Sequence, residues 1–307
     1  MKILSSSLAL LAAVASAGAN AITLQFDYTY DDNGFFADAT RRSILEQAGA
    51  YFGSRITDDL DAITSGGGNH FTAIFNRPDT DAVVNLADYS VAADTLVVFA
   101  GGRDLGGSLG QGGPGGWSAG GSGAFLDTVA TRGEIGDVSG PSAVEFAPWG
   151  GSITFNTTSV WDFNPDLSAG ATISDNDFYS VALHELGHLL GFGTAESWYA
   201  MITGGGMFAG GASSTVFGGD VPLHGDAAHW QENLTSTVGG IGSQEVAMDP
   251  TLTVGTRKLF TDLDFAALDD IGWDVTAVPL PSAAFPFVAA LFAAGAAARR
   301  GRRRAGA

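Results

Sequence analysis

Five residues constrain this chain more than any others: His184-Glu-Leu-Gly-His188. They lie in an apolar run in which Phe178, Val181, Ala182, Leu186, Leu189 and Leu190 recur at the spacing of a buried helix. Ser174, Asp175 or Asn176 can cap its start, and Gly191 or Gly193 can end it. Residues four apart on a helix share a face, about one turn apart. His184 and His188 can therefore aim two ring nitrogens at one ion, at about 2.0–2.1 Å each, as zinc takes them. Glu185 follows the first histidine, where this motif places a general base acting on water rather than a ligand. The competing reading, two core histidines around a chance glutamate, requires buried partners for both rings.

The 307 residues include no cysteine, which excludes disulfides, metal–thiolate sites and cysteine nucleophiles. The formal charge is −19, and segments 1–21 and 279–307 hold six of the 14 basic residues but none of the 33 acidic ones. What lies between is acidic enough to argue against nucleic acid as a partner, since phosphates need Lys and Arg. Most of the acids are aspartates. Asn164, Asp166, Asp175 and Asp177 together can supply oxygen ligands to calcium, or serve as ordinary turn residues.

Both ends look like addresses. Met1-Lys2, the apolar run from Leu8 to Val14, and the small residues Ala15-Ser-Ala17 and Ala19-Asn-Ala21 describe a secretory signal peptide over 1–21. The far end has Val278-Pro-Leu-Pro281, an apolar stretch from Ala283 to Ala298 interrupted by Pro286, and Arg299-Arg-Gly-Arg-Arg-Arg304. This order resembles the sorting tails cut by bacterial exosortases, the PEP-CTERM tails, with Val-Pro-Leu-Pro in place of Pro-Glu-Pro. The resemblance implies that 279–307 makes transient membrane contact, with its arginines on the cytoplasmic side. Signal peptidase and an exosortase-type enzyme then become processing partners, and the location is secreted or on the surface of a Gram-negative bacterium. A plain C-terminal membrane anchor is the alternative.

Between these ends, 22–278 reads as the working domain, with an N-terminal part of about 22–193 and a C-terminal part of about 194–278. Ile22 to Tyr30 alternates apolar and polar residues, as a strand does. From Ala39 to Ile63, apolar residues that include Ile44, Ala48, Ile56, Leu60 and Ile63 keep helical spacing and predict one long helix. Phe71 to Phe75, Ala82 to Leu86 and Thr95 to Ala100 read as short strands. Gly101 to Gly123 holds 12 glycines in 23 residues, which predicts a flexible surface loop near the cleft, with no strand or helix. Ser152 to Asn156 regains strand character, and it or its neighbour can offer an open edge to an extended peptide. Together these give an α+β fold: a twisted mixed sheet with an active-site helix, then a loop-rich C-terminal part ending in a helix.

A catalytic zinc site needs a third protein ligand and an open position. His224 and His229 both lie in Val221-Pro-Leu-His224-Gly-Asp-Ala-Ala-His229-Trp230, and Asp226 or Glu232 can serve in another class of zinc enzyme. His70 is remote in the sequence. The residues alone leave this choice open.

Here the order of motifs resembles the metzincin metalloproteases, and within them the leishmanolysin-like branch. Gly191 fits the extended metzincin motif, but Thr194 stands where the short form has its third histidine. The leishmanolysin-like branch inserts a long segment before a third histidine followed by tryptophan, then a methionine turn with proline two residues on. His229-Trp230 and Val246-Ala-Met248-Asp-Pro250 match both in order. Phe260 to Trp273 resembles the closing helix, with Thr261 and Asp264 as a capping box and Gly272 as a stop. The resemblance covers about residues 176–274. It implies a metzincin-like catalytic domain in which His184, His188 and His229 bind Zn²⁺, Glu185 is the base, and Met248 is an apolar floor. The implied activity is secreted zinc endopeptidase, acting on a protein or peptide substrate.

Two other classes stay open. One is a non-catalytic surface or matrix protein that keeps a metal site. The other is a zinc hydrolase with a carboxylate third ligand, to which Thr194-Ala-Glu-Ser-Trp-Tyr199 bears some similarity, although Glu196 stands at the expected aspartate.

Overall fold

The strand Thr95–Arg103 is buried on both faces, and its period-two alternation divides the interior in two. Leu96, Val98 and Ala100 enter the larger core, whereas Val97 and Phe99 enter a smaller, aromatic one. The computed structural model describes residues 22–276; the segments expected to be a signal peptide, 1–21, and a sorting tail, 279–307, lie outside the described residues.

Numbered along the chain, the main sheet contains β1 (Thr23–Asp27), β4 (Thr95–Arg103), β7 (Gly150–Asn156) and β5 (Gly110–Pro114), side by side in that order. The first three are parallel, and β5 runs antiparallel along β7. Against the Val97/Phe99 face lies an antiparallel sheet of β3 (Val83–Leu86), β2 (His70–Asn76) and β6 (Gly116–Gly120). Phe75 stacks on Phe99 with centroids 4.0 Å apart, beside Trp149. Against the opposite face pack α1 (Ala39–Gly53) and α3 (Phe178–Leu189). The remaining helices are α2 (Gly123–Thr131), α4 (Glu196–Ala200), α5 (Gly211–Phe217) and α6 (Asp262–Asp270). Beyond α3 the strands are short, including Ile202–Thr203 paired with Met207–Phe208, and Thr235–Val238 paired with Ile241–Glu245. The result, among the described residues, is a mixed α+β fold of several small sheets and six helices.

Two expectations from the sequence are corrected. The helix expected to reach Ile63 ends at Gly53, and a turn and non-helical chain follow. Ile56, Leu60 and Ile63 are still fully buried, but Ile56 bridges to Val275 and Ile63 to Val91. Helical spacing over those positions reported burial, and tertiary pairing supplied it. The glycine-dense segment is not a loop: it contains the end of β4, all of β5 and β6, and the start of α2. Ladder hydrogen bonds come from the backbone, so glycine does not prevent a strand where another element must approach closely.

Buried polar groups tie the layers together. Arg132, fully buried, donates to the carbonyls of Asp61, Ala92, Thr95 and Pro148. Asp58 accepts from the Asp274 amide at 3.0 Å. Burial pushes its carboxyl up to about 7, and the nearby Glu134 and Asp274 push the same way. The folded state therefore holds this proton more tightly than the unfolded chain, whose aspartate titrates near 3.9. The resulting stabilisation is complete below about pH 4 and is lost as pH rises through 7. Asp58→Asn keeps the acceptor and removes the titration. Its melting temperature should exceed that of the wild type at pH 8, by about 2–4 °C for each kcal/mol recovered, and converge with it at pH 4. Thermal unfolding across that range is the measurement.

Candidate metal centre

The helix that carries His184 and His188 starts one residue later than the sequence suggested. Its cap is Asp177, which accepts from the Ser180 amide at 3.1 Å. Asn176 and Asp177 are held extended by pairing with Trp161–Asp162, which leaves Phe178 as the first residue free to turn into the helix and Asp177 as its cap. Its carboxylate also grips Arg257 through Nε at 2.8 Å and Nη2 at 2.7 Å, with both side chains buried. The helix ends as expected before Gly191, whose φ of +102° favours glycine. Thr194 donates its hydroxyl to the His188 carbonyl at 2.7 Å, satisfying the helix end where the short motif would place a histidine.

His229 joins the helical pair, and His224 does not. The Nε2 atoms of His184, His188 and His229 lie 3.1 Å (184–188), 3.2 Å (184–229) and 3.0 Å (188–229) apart. Each ring donates its other nitrogen outward: His184 Nδ1 to the Ala247 carbonyl, His188 Nδ1 to the Phe192 carbonyl, and His229 Nδ1 to Asp226, all at 2.8 Å. With the proton fixed on Nδ1, every Nε2 presents a lone pair. Three lone pairs meeting at a point repel one another unless a cation lies among them. Nitrogens bound tetrahedrally at zinc distances are about 3.3 Å apart, so the spacing and tautomers fit such an ion. Burial, reinforced by the neighbouring rings, holds His184 well below the usual histidine range and His188 down to about 4. Both are neutral, as ligands must be.

Asp226 lies outside the three-histidine group and accepts from both His229 and His224, the latter at 3.0 Å; with those two histidines it forms a second, more exposed group able to hold a metal. Burial raises its pKa, but the Ala228 amide and the two imidazoles outweigh this and hold it at about 2. Glu232 is exposed and belongs to neither metal-competent group found among the described residues, and His70 is an exposed partner of Asp88. Of the two readings of Asn164, Asp166, Asp175 and Asp177, the structure favours turn residues over calcium ligands, since they form no metal-competent group among the described residues. Asp177 is committed to Arg257, Asp166 accepts from Ser168, and Asn164 bridges Thr172 and Asp166 as a turn residue.

One carboxylate beneath the site went unread as such in the sequence. Asp264, seen there only as a capping residue of α6, is fully buried and accepts five hydrogen bonds. Its donors are the Ala247 and Met248 amides, the Trp230 indole, and the Thr261 amide and hydroxyl. It thereby fixes both the turn whose carbonyl orients His184 and the tryptophan that follows His229. Trp230 lies within a buried aromatic cluster with Phe192, Trp198 and Phe208. Met248 is fully buried against Gly187, where a Cβ would come within 2.6 Å of its sulfur. The thioether thus lies beneath the helix turn that joins the two histidines.

Glu185 faces the same cavity. Burial pushes its carboxyl up to about 8, and only the Gly112 amide pulls the other way. The strand β5 passes so close that a Cβ on Gly110 would come within 2.4 Å of the Glu185 carboxylate, and one on Gly112 within 2.4 Å of its carbonyl. The glycine density of the sequence was the signal for this roof.

No family model, curated protein or solved structure matches the chain. The site can be tested directly. The purified protein should hold one zinc per chain, and His184→Ala, His188→Ala and His229→Ala should each abolish retention on dialysis. Asp226→Ala should weaken affinity by about 10–100-fold, as loss of a histidine's outer partner does. Metal analysis after dialysis against graded chelator reads all four, and His224→Ala should retain its zinc.

Proposed function

We propose that the chain is a secreted or surface-sorted zinc endopeptidase of metzincin-like type, with His184, His188 and His229 as ligands and Glu185 as general base. The observation that carries this reading is the placement of Glu185. A buried carboxylate without a cationic partner lines a cavity beside three open imidazole nitrogens. A purely structural metal site gains nothing from such a group, and burying it is costly. The third imidazole also argues against the hydrolases that use a carboxylate ligand.

Zinc held by the three histidines supplies Lewis acidity towards water and a peptide carbonyl. The protein's own groups do the rest. Glu185, with a carboxyl raised towards neutrality, is matched to taking a proton from the attacking water and passing it to the departing amine. The edge of β5 above it offers backbone groups that can align an extended substrate across the cavity, in strand fashion. Met248 and Gly187 keep the underside of the site dry and closely packed.

The terminal segments 1–21 and 279–307 complete the proposal as export signal and sorting tail. They would bring the enzyme into contact with signal peptidase and an exosortase-type enzyme, and briefly with the membrane. Glu185→Gln preserves shape and removes the base. It should keep its zinc while peptide hydrolysis falls by about 10²–10⁴-fold. Equal hydrolysis by the two proteins at equal zinc content would refute the role given to Glu185.

A further inference from the structure

The loop that carries His229 holds more ligand capacity than the three-histidine centre uses. It closes on itself: Leu223 bridges to Trp230, and the His224 amide donates to the His229 carbonyl at 2.9 Å. Ala227 turns the chain at a left-handed φ of +61°, its amide donating to the His224 carbonyl at 2.9 Å. The Trp198 indole holds the Ala227 carbonyl at 2.9 Å, and a Cβ on Gly193 would come within 2.2 Å of the Ala228 carbonyl. This bracing gathers donor atoms of His224, Asp226 and His229 within 4.8 Å of one another. Asp226 is the shared member. Its Oδ1 accepts from the Ala228 amide at 2.9 Å, while Oδ2 faces His229 Nδ1 at 2.8 Å and His224 Nδ1 at 3.0 Å. The first of these two contacts is fixed, since His229 turns its Nε2 to the inner centre and must keep its proton on Nδ1. The second is not. The His224 ring is exposed, and Asp226 is its one ion-pair partner among the described residues. With its proton on Nε2, its Nδ1 lone pair converges with one from Asp226 Oδ2, at a separation close to the roughly 3.3 Å between two ligand atoms on zinc.

Resting on the three-histidine centre but not on peptidase chemistry, we propose that His224 Nδ1 and Asp226 Oδ2 form an outer site for a second divalent ion of the zinc class, and that filling it loosens the inner ion. An imidazole with a carboxylate suits such an ion, and the exposure of both side chains lets water complete its shell. Two protein ligands against three make the outer site the weaker. Two effects then couple the sites. An ion on Oδ2 draws away electron density that Asp226 otherwise gives to the His229 N–H, so His229 becomes a poorer ligand. The second positive charge also stands one imidazole away from the first and repels it. Both effects have the same sign, and by reciprocity each ion weakens the other by the same factor. The chain would therefore hold one ion firmly when zinc is scarce, and two ions, the inner one more exchangeable, when zinc is abundant.

Two measurements test this. In the first, the wild type and His224→Ala are dialysed to equilibrium against rising free Zn²⁺ and their metal content is measured. The wild type should pass from one ion per chain to two. His224→Ala should stop at one, and that retained ion reports that its loop is intact. In the second, the inner site is loaded with a single zinc isotope and chased with natural Zn²⁺. Release of the isotope from the wild type should speed up by about 10–100-fold over the range in which the second ion is taken up, the scale on which a histidine's outer partner matters. His224→Ala should show no such acceleration. A wild type that stops at one ion, or a second ion kept by His224→Ala, overturns the outer site. Uptake of the second ion without faster release overturns the coupling. No ion at all in the wild type would overturn the three-histidine centre together with this proposal. Peptide hydrolysis is not read in either measurement, so the outer site and the peptidase reading stand or fall separately.

Discussion

Three neutral imidazoles with their acceptor nitrogens 3.0–3.2 Å apart are an arrangement that a protein must force. Nothing in the rings themselves draws them together, because each has already given its proton to an acceptor on the far side. The surrounding structure supplies the constraint. The helix fixes two of the rings by periodicity alone, while the third depends on a loop that has no regular structure of its own. That loop is held from below by Trp230 and from the side by Asp226. Much of the segment after residue 190 can be understood as bracing for one imidazole, which is why so irregular a stretch contains three fully buried tryptophans, Trp198, Trp230 and Trp273.

The base is placed by a different device. Glu185 points away from its own helix into a cavity roofed by backbone, and a backbone can come that near only where it has no side chains. The glycines at 110 and 112 make this possible at the cost of entropy on folding. Pairing of β5 along β7 offsets that cost by fixing the strand register. Because β5 is the last strand of its sheet, its outer edge stays unpaired within that sheet. The same glycines therefore desolvate the carboxylate and leave a strand edge open directly above it.

How far these features were legible in the sequence follows from how local each one is. The His184–His188 pair and its base needed only helical periodicity, and the capping box at Thr261 and Asp264 needed only a four-residue pattern. The choice of His229 over His224 could not be made from spacing, since only four residues separate two histidines of equal chemistry. It came from the order of motifs, and in the structure it is His229 that stands beside the helical pair. The end of α1 was misplaced because Ile56, Leu60 and Ile63 are held in the interior by backbone pairing with residues far along the chain, Val275, Asp94 and Val91. Composition made the glycine segment look like a loop, because the element that requires glycine there, α3, lies some 70 residues away. The hub role of Asp264 was invisible for a related reason: its donors come from three separate stretches of chain.

The buried charges divide by how fully they are satisfied. Arg132 has four carbonyls, Asp264 five donors, Asp177 the two-pronged grip of Arg257 as well as its helix cap, and Lys258 three acceptors. These groups hold elements together, and saturation suits that task, since an unmet buried charge would undo what it stabilises. Two places break the pattern among these charged and metal-competent groups: the converging Nε2 atoms and the Glu185 carboxylate. Both belong to residues that line one cavity. The unmet capacity gathered there is what binding a metal ion or moving a proton requires.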